Sequence, residues 1–194
     1  MSSFLVTANQ YPQRQNYLSR YLRNGLSTLP CLGLISQPDR PQGVSVIMRV
    51  KNEKDWITVS IESIKSMADE IVIFDNGSTD GTYETLRELT SRHENLIKLA
   101  RRPHLDHCSL SNSALNQTRF RWIFRWDGDM VAHTTGKHTI HNLRKRLLDL
   151  DPRRYYLIYL RHINLSGDLG HQDPKEMVHI EEYVHTYSPE ARYI

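Results

Sequence analysis

From Val44 to Trp126 short apolar runs alternate with stretches in which apolar residues recur at helical intervals, and this alternation admits few architectures. Val44-Ser45-Val46-Ile47-Met48-Arg49-Val50 and Glu70-Ile71-Val72-Ile73-Phe74 are dense in β-branched and large apolar side chains and read as buried strands. Leu96 to Ala100 reads as a short third strand. Phe120-Arg121-Trp122-Ile123-Phe124-Arg125-Trp126 reads as a fourth that runs straight into Asp127. Helices are expected over Trp56 to Met67, over Thr82 to Ser91 with Thr79 or Asp80 as cap, and over Ser109 to Gln117. Strands separated by helices of this length join through right-handed crossovers. The expected product is an α/β domain with a mixed, mainly parallel sheet flanked by helices.

The flanks differ. Residues 1–43 lack a strand-like run, but Tyr17, Leu18, Tyr21, Leu22 and Leu26 recur at helical spacing among Arg14, Arg20 and Arg23. They predict one amphipathic helix, which packs on the domain or lies on a membrane surface or partner. Gln37-Pro38-Asp39-Arg40-Pro41-Gln42-Gly43 has the punctuation of a linker. After the fourth strand, Thr139 to Asp149 predicts a basic amphipathic helix. Tyr155 to Ile163 and Met177 to Tyr187 then predict two strands joined through Leu165 to Lys175. The expected plan is an N-terminal extension over 1–43, a ligand-binding half over 44–132 and a short remaining part over 133–194.

Composition narrows the function classes. Hydrophobic residues make up 39% and charged residues 24%, and no apolar run approaches the roughly 20 residues a bilayer requires. Met1 to Gln10 does not read as a secretory signal, so a cytoplasmic address is expected, with the inner face of a membrane as its variant. Cys31 and Cys108 stand far apart and form neither a metal knuckle nor a disulfide framework. The net charge of +3 is spread along the chain, which argues against nucleic acid as a partner. Ten histidines are present without a metal-ligating motif such as His-Glu-x-x-His.

In open parallel sheets ligands bind beyond the carboxyl ends of the strands. Polar clusters stand at three such ends: Lys51-Asn52-Glu53, then Asp75-Asn76-Gly77-Ser78-Thr79-Asp80-Gly81-Thr82, then Asp127-Gly128-Asp129. Arg101-Arg102 follows the third strand and is a candidate for contacting a diphosphate. Two carboxylates around a glycine suit a hard divalent ion shared with a diphosphate, although Asp and Gly also favour a simple turn. Arg144, Lys145 and Arg146 read as the solvated face of their helix, with a phosphate or membrane role as the other reading.

Taken in order, these clusters resemble the nucleotide-binding half of the family 2 glycosyltransferases, over Val44 to Ala132. The resemblance implies the GT-A (Rossmann-like) fold, a nucleotide-diphosphate sugar as donor, and transfer with inversion to a saccharide or glycolipid acceptor, with Mn2+ or Mg2+ as cofactor. It implies a nucleoside site bordered by Val50, Asn52, Glu53, Asn76 and Gly77, with Asp75 accepting a hydrogen bond from the base. Arg102 and Asn112 would complete the donor contacts. Asp127 and Gly128 would lie near the ribose and metal, and Asp129 would be the main metal ligand. The chain departs from the family pattern in having Arg49-Val50-Lys51 where Pro is frequent, Asp75-Asn76 where two acids are frequent, and Ser111 where Arg often precedes Asn112. A base that deprotonates the acceptor should lie downstream of Asp129, where Asp168, Asp173, Glu181 and Glu182 are candidates and no motif singles one out. A nucleotidyltransferase and a non-catalytic nucleotide-sugar-binding module remain the alternatives.

Overall fold

The computed structural model of the chain describes residues 38–165, 171 and 179–194. The expected N-terminal helix, Cys31 and the candidate acids Asp168 and Asp173 lie outside the described residues. Within them the order is β1 (Val44–Val50), α1 (Ile57–Ile64), β2 (Glu70–Asp75), α2 (Thr82–Arg92), β3 (Ile97–Arg101), α3 (His107–Leu115), β4 (Trp122–Asp127), α4 (Ile140–Leu148), β5 (Leu157–His162) and β6 (His179–Thr186). The strands form one sheet in the order β3-β2-β1-β4-β6-β5. The first four in that order are parallel, β6 is antiparallel to β4, and β5 is antiparallel to β6. The expected mixed, mainly parallel α/β architecture is therefore present.

Helix boundaries follow local chemistry. The third helix starts at His107 rather than Ser109, because the Asp106 side chain caps it by accepting from the Ser109 N–H at 2.9 Å. At α2, Gly81 occupies the cap with φ of 101°, and Asp80 one residue earlier accepts from the Thr82 N–H at 2.9 Å and its hydroxyl at 2.6 Å. Thr139 caps α4 through the Asn142 N–H. The first helix stops at Ile64, short of Met67, where the Met67 N–H turns back to the Ile64 carbonyl at 2.8 Å.

Alternation along the strands divides the core between the two faces of the sheet. Val44, Val46, Met48 and Val50 of β1 join Ile71, Ile73, Phe124 and Trp126 beneath α1, α2 and α4, which supply Ile57, Ile61, Leu86 and Leu143. On the opposite face, Ile47, Val72, Phe74 and Ile123 meet Leu110, Ala114 and Leu115 of α3. Each such fully buried side chain contributes about 1.5–3 kcal/mol against the chain entropy lost on folding.

Parallel register aligns the polar clusters. Val50 stands opposite Asp75, Arg49 opposite Asp127, and Asp75 opposite Arg101, so the strand ends converge on one edge of the sheet. At the other edge Glu70 is fully buried and accepts from the Ser45 hydroxyl at 2.7 Å, Lys98 Nζ at 2.7 Å, and the Arg119 main-chain N and Nε at 2.5 and 2.9 Å. Burial opposes its ionisation, but the hydrogen bonds from Lys98, Ser45 and Arg119 outweigh it and hold the carboxyl below its usual range.

Candidate functional site

The loop after β2 is held from within. Asp75 is fully buried, accepts from the Gly77 N–H at 3.0 Å and the Ser78 N–H at 3.2 Å, and faces Arg101 Nε at 3.2 Å. Gly77 takes φ of 79°, which the turn requires and which glycine adopts without strain. Arg101 also donates to the Ser78 carbonyl at 2.9 Å and lies over the Tyr83 ring, 4.5 Å from its centroid. Asn52, at φ of 58°, laces the first loop to this one. Its N–H donates to Ser78 Oγ at 2.9 Å and its Oδ1 accepts from the Thr79 N–H at 2.9 Å, while the Glu53 N–H donates to Thr82 Oγ1 at 2.8 Å.

These loops and the end of β4 enclose a cleft of about 350 Å³. Its lining comprises three acids, Glu53, Asp127 and Asp129, three basic residues, Arg49, Lys51 and His107, and Val50, Asn76, Leu110 and Gly128. Burial and the charges of Asp129, Asp80 and Asp127 raise the Glu53 carboxyl above its usual range. Gly128 permits the close approach of Glu53, since a Cβ there would stand 3.0 Å from Glu53 Cγ. Arg49 Nη2 donates to Asp127 Oδ1 at 3.1 Å, and Arg49 Nη1 lies 3.5 Å from His107 Nδ1. Two buried polar atoms of the cleft residues lack a hydrogen-bond partner: Arg49 Nε, a donor, and Asn76 Oδ1, an acceptor.

The donor set fits Mg2+ or Mn2+. Asp127 and Asp129 offer hard oxygens beside a carboxylate already under electrostatic pressure, and these ions are held by one or two carboxylates together with substrate phosphates. Among the described residues no group of three or more His, Cys, Asp or Glu is arranged to hold an ion unaided.

Of the residues expected at the site, Val50, Glu53, Asn76, Asp127, Gly128 and Asp129 meet in the cleft. Asn52, Asp75 and Gly77 stand behind it and shape its loops, the Asp75 carboxylate being engaged by its own turn. Arg102 is exposed, with Nη1 on the neighbouring Arg101 carbonyl at 3.1 Å. Asn112 does not line the cleft: its Nδ2 donates to the Tyr193 carbonyl at 3.0 Å and its Oδ1 accepts from the Tyr193 N–H at 2.9 Å. Ser111 is buried and donates to the His107 carbonyl at 2.8 Å. Lys51 belongs to the polar cluster expected after the first strand, whereas Arg49, His107 and Leu110 line the cleft without having been expected there, although an arginine inside a buried strand is a visible signal for the first.

A second hollow of about 390 Å³ lies against β5 and β6. It holds both described base candidates, Glu181 paired with Arg125 at 2.7 Å and Glu182 accepting from the Tyr159 hydroxyl. Burial disfavours the Arg125 charge, but Asp127 and Glu181 together keep the guanidinium above its usual range. Tyr183 is pushed up to about 12 by burial and by the charges of Glu181 and Asp127. The cleft at the carboxyl ends of the parallel strands differs in gathering three acids, Glu53, Asp127 and Asp129, with two unpartnered groups, Arg49 Nε and Asn76 Oδ1.

The glycosyl transferase family 2 model matches residues 45–143. EpsE of Bacillus subtilis (strain 168), named provisionally as a glycosyltransferase, is 29% identical over 119 residues, covering 59% of this chain and 41% of that protein. The glycosyltransferase AglE of Haloferax volcanii is 30% identical over 95 residues, covering 46% of this chain and 31% of that protein. The chain thus spans less than half the length of these curated relatives. Among solved structures, the mannosyltransferase PcManGT from Pyrobaculum calidifontis, in complex with GDP-Man and Mn2+, aligns with a TM-score of 0.49 at 20% identity over 70% of this chain and 44% of that one. TarS of S. aureus in complex with UDP-GlcNAc aligns with a TM-score of 0.39 at 24% identity over 45% of this chain and 27% of that one.

Proposed function

The chain belongs to glycosyl transferase family 2, and from that premise we propose that the cleft between β1, β2 and β4 binds a nucleotide-diphosphate sugar for transfer, with inversion, to a hydroxyl of a saccharide or glycolipid acceptor. The observation that carries this reading is the gathering of Glu53, Asp127 and Asp129 with Arg49, Lys51 and His107 in the lining of one cleft at the carboxyl ends of the strands. A diphosphate and a divalent cation together need both signs of charge in one place. Asp127 and Asp129 would hold Mn2+ or Mg2+, which when bound supplies Lewis-acid stabilisation of the departing diphosphate.

The remaining roles belong to the chain itself. Asn76 presents its unpartnered Oδ1 to a nucleoside N–H, and Val50 offers an apolar contact to the base. Asn52, Asp75 and Gly77 keep the two loops in the shape the base requires, and Arg102, exposed at the end of the third strand, is free to reach the donor. The acceptor hydroxyl gives its proton to a carboxylate, for which Glu181, Glu182, Asp168 and Asp173 are the candidates. Synthesis of a surface polysaccharide or glycoconjugate is the proposed setting.

Calorimetry with nucleoside diphosphates and Mn2+, followed by a sugar-nucleotide turnover assay, tests this function. The wild-type chain should bind diphosphate more tightly with the metal present, and Asp129→Ala should remove that enhancement, a loss of roughly tenfold or more. Equal metal-dependent binding by the variant would reject the assignment. Binding without transfer or hydrolysis would instead indicate a non-catalytic module.

A further inference from the structure

Arg49 is the charged exception in β1, whose neighbours Met48 and Val50 are buried in the core. Burying part of a guanidinium is unfavourable unless its donors are satisfied. The register of β1 and β4 sets Arg49 opposite Asp127, and their side chains, 20% and 35% exposed, pair at 3.1 Å. This leaves the fork incomplete, since Nε is buried with no acceptor. Asp127 is fixed independently, its main-chain carbonyl accepting from Ser60 Oγ at 3.3 Å. Lys51, His107, Asp129 and Glu53 line the same cleft.

We propose that Arg49 is a shared counter-ion: in the ligand-free chain it neutralises Asp127, and when a nucleoside diphosphate enters it donates to the phosphate oxygens and releases Asp127 for the divalent cation. The proposal rests on the donor-cleft reading and adds an identified anion partner and an order of binding. A planar guanidinium matches phosphate oxygens through two parallel N–H donors, so the unpartnered Nε gains an acceptor when the ligand arrives. A cation approaching Asp127 without the diphosphate meets both a competing hydrogen bond and a like charge. Arg49 thereby disfavours metal alone and favours metal together with diphosphate, which keeps the acids from being occupied before the donor is present.

The test measures Mn2+ alone, UDP and GDP alone, and each nucleotide with Mn2+, by calorimetry on the full chain, with free Mn2+ also read by electron paramagnetic resonance. Arg49→Gln should tighten Mn2+ alone by about threefold, the reversal of one partly exposed ion pair, and weaken diphosphate binding by about tenfold or more. Arg49→Lys keeps the charge on Asp127 and loses the fork, so it should leave Mn2+ alone near the wild-type value while weakening the diphosphate several-fold. Opposite signs for metal and diphosphate in Arg49→Gln are the signature; weaker Mn2+ binding, or diphosphate affinity within about twofold of wild type, overturns the proposal. If Arg49→Gln does not fold, Arg49→Lys decides, and unchanged diphosphate affinity in that variant overturns it equally. Failure of the wild type to bind any nucleoside diphosphate would remove the donor-cleft reading itself. Wild-type binding that is lost in Asp129→Ala but insensitive to both Arg49 variants removes this inference alone.

Discussion

Gly128 separates two carboxylates that line one cleft, and the space it leaves is already taken by Glu53. Adding a Cβ there would bring it within 3.0 Å of Glu53 Cγ and 3.3 Å of Glu53 Cβ, so the side chain that must yield is one of the cleft acids. Gly128→Ala should therefore weaken Mn2+-dependent nucleotide binding by roughly tenfold while leaving the fold intact, as judged by circular dichroism and the titration above. Glu53 itself has a raised carboxyl pKa, from burial and from Asp129, Asp80 and Asp127. The sign follows: below its unfolded value the carboxyl is protonated in both states and costs nothing, and the destabilisation grows as pH rises through the folded value. Glu53→Gln removes that cost, so without metal the variant should be more stable at neutral pH than at pH 4 relative to wild type. Solvent screening of this half-open residue limits the gain to under about 1 kcal/mol in a denaturant titration. At this scale the acids, Asn76 and the glycine were legible in the sequence as residue types. Their mutual pressure was not, because it depends on Asp80 and Asp129 approaching Glu53 from different loops.

Among the elements, α4 shows how a face that reads as solvated can hold a fold together. Arg144 sits in the basic stretch with Lys145 and Arg146, yet its guanidinium pairs with both Asp69 oxygens at 2.8 and 2.9 Å and donates to the Met67 carbonyl. Asp69 in turn accepts from the Val44 N–H at 2.8 Å, so one arginine joins α4 to the start of β1 and to the turn before β2. Arg144→Ala should destabilise the chain by about 1–3 kcal/mol and lower the denaturant midpoint, whereas the exposed Lys145→Ala should stay within about 0.5 kcal/mol. Equal effects from the two substitutions would show that the fork to Asp69 contributes little. The apolar stripe of this helix, Ile140, Leu143 and Leu147, was readable from its periodicity. The arginine tie was not, since its partner lies 75 residues away.

For the whole molecule, the sheet separates two kinds of polar work. One edge gathers the loops and mixed charges of the cleft. The other buries Glu70 in a satisfied set of hydrogen bonds from Ser45, Lys98 and Arg119, joining β1, β2, β3 and the segment before β4. Because the folded pKa of Glu70 lies below its unfolded value, its stabilisation is present above the unfolded pKa of about 4.3 and is lost as pH falls through the folded value. Glu70→Gln should cost about 1–3 kcal/mol at pH 7, discounted because Lys98 and Arg119 reach solvent, and should flatten the fall in stability between about pH 5 and pH 3. An unchanged acid limb in the variant would assign the acid sensitivity to other carboxylates.

The alternation of apolar runs and helical periods determined an α/β sheet, and the polar residues after each strand marked its functional edge, because side-chain periodicity and turn chemistry are local properties of the chain. The register of the sheet decided the rest. It set Arg49 opposite Asp127 across 78 residues and Asp75 beside Arg101, while packing of the segment after β6 on α3 brought Tyr193 to Asn112 across 81. Each is a long-range pairing or an exclusion of solvent, and neither exists until strands distant in sequence share hydrogen bonds. Residue types and their spacing thus marked the polar strand ends, and only the packed sheet put Arg49 beside Asp127 and left Arg49 Nε and Asn76 Oδ1 with bonds still to make.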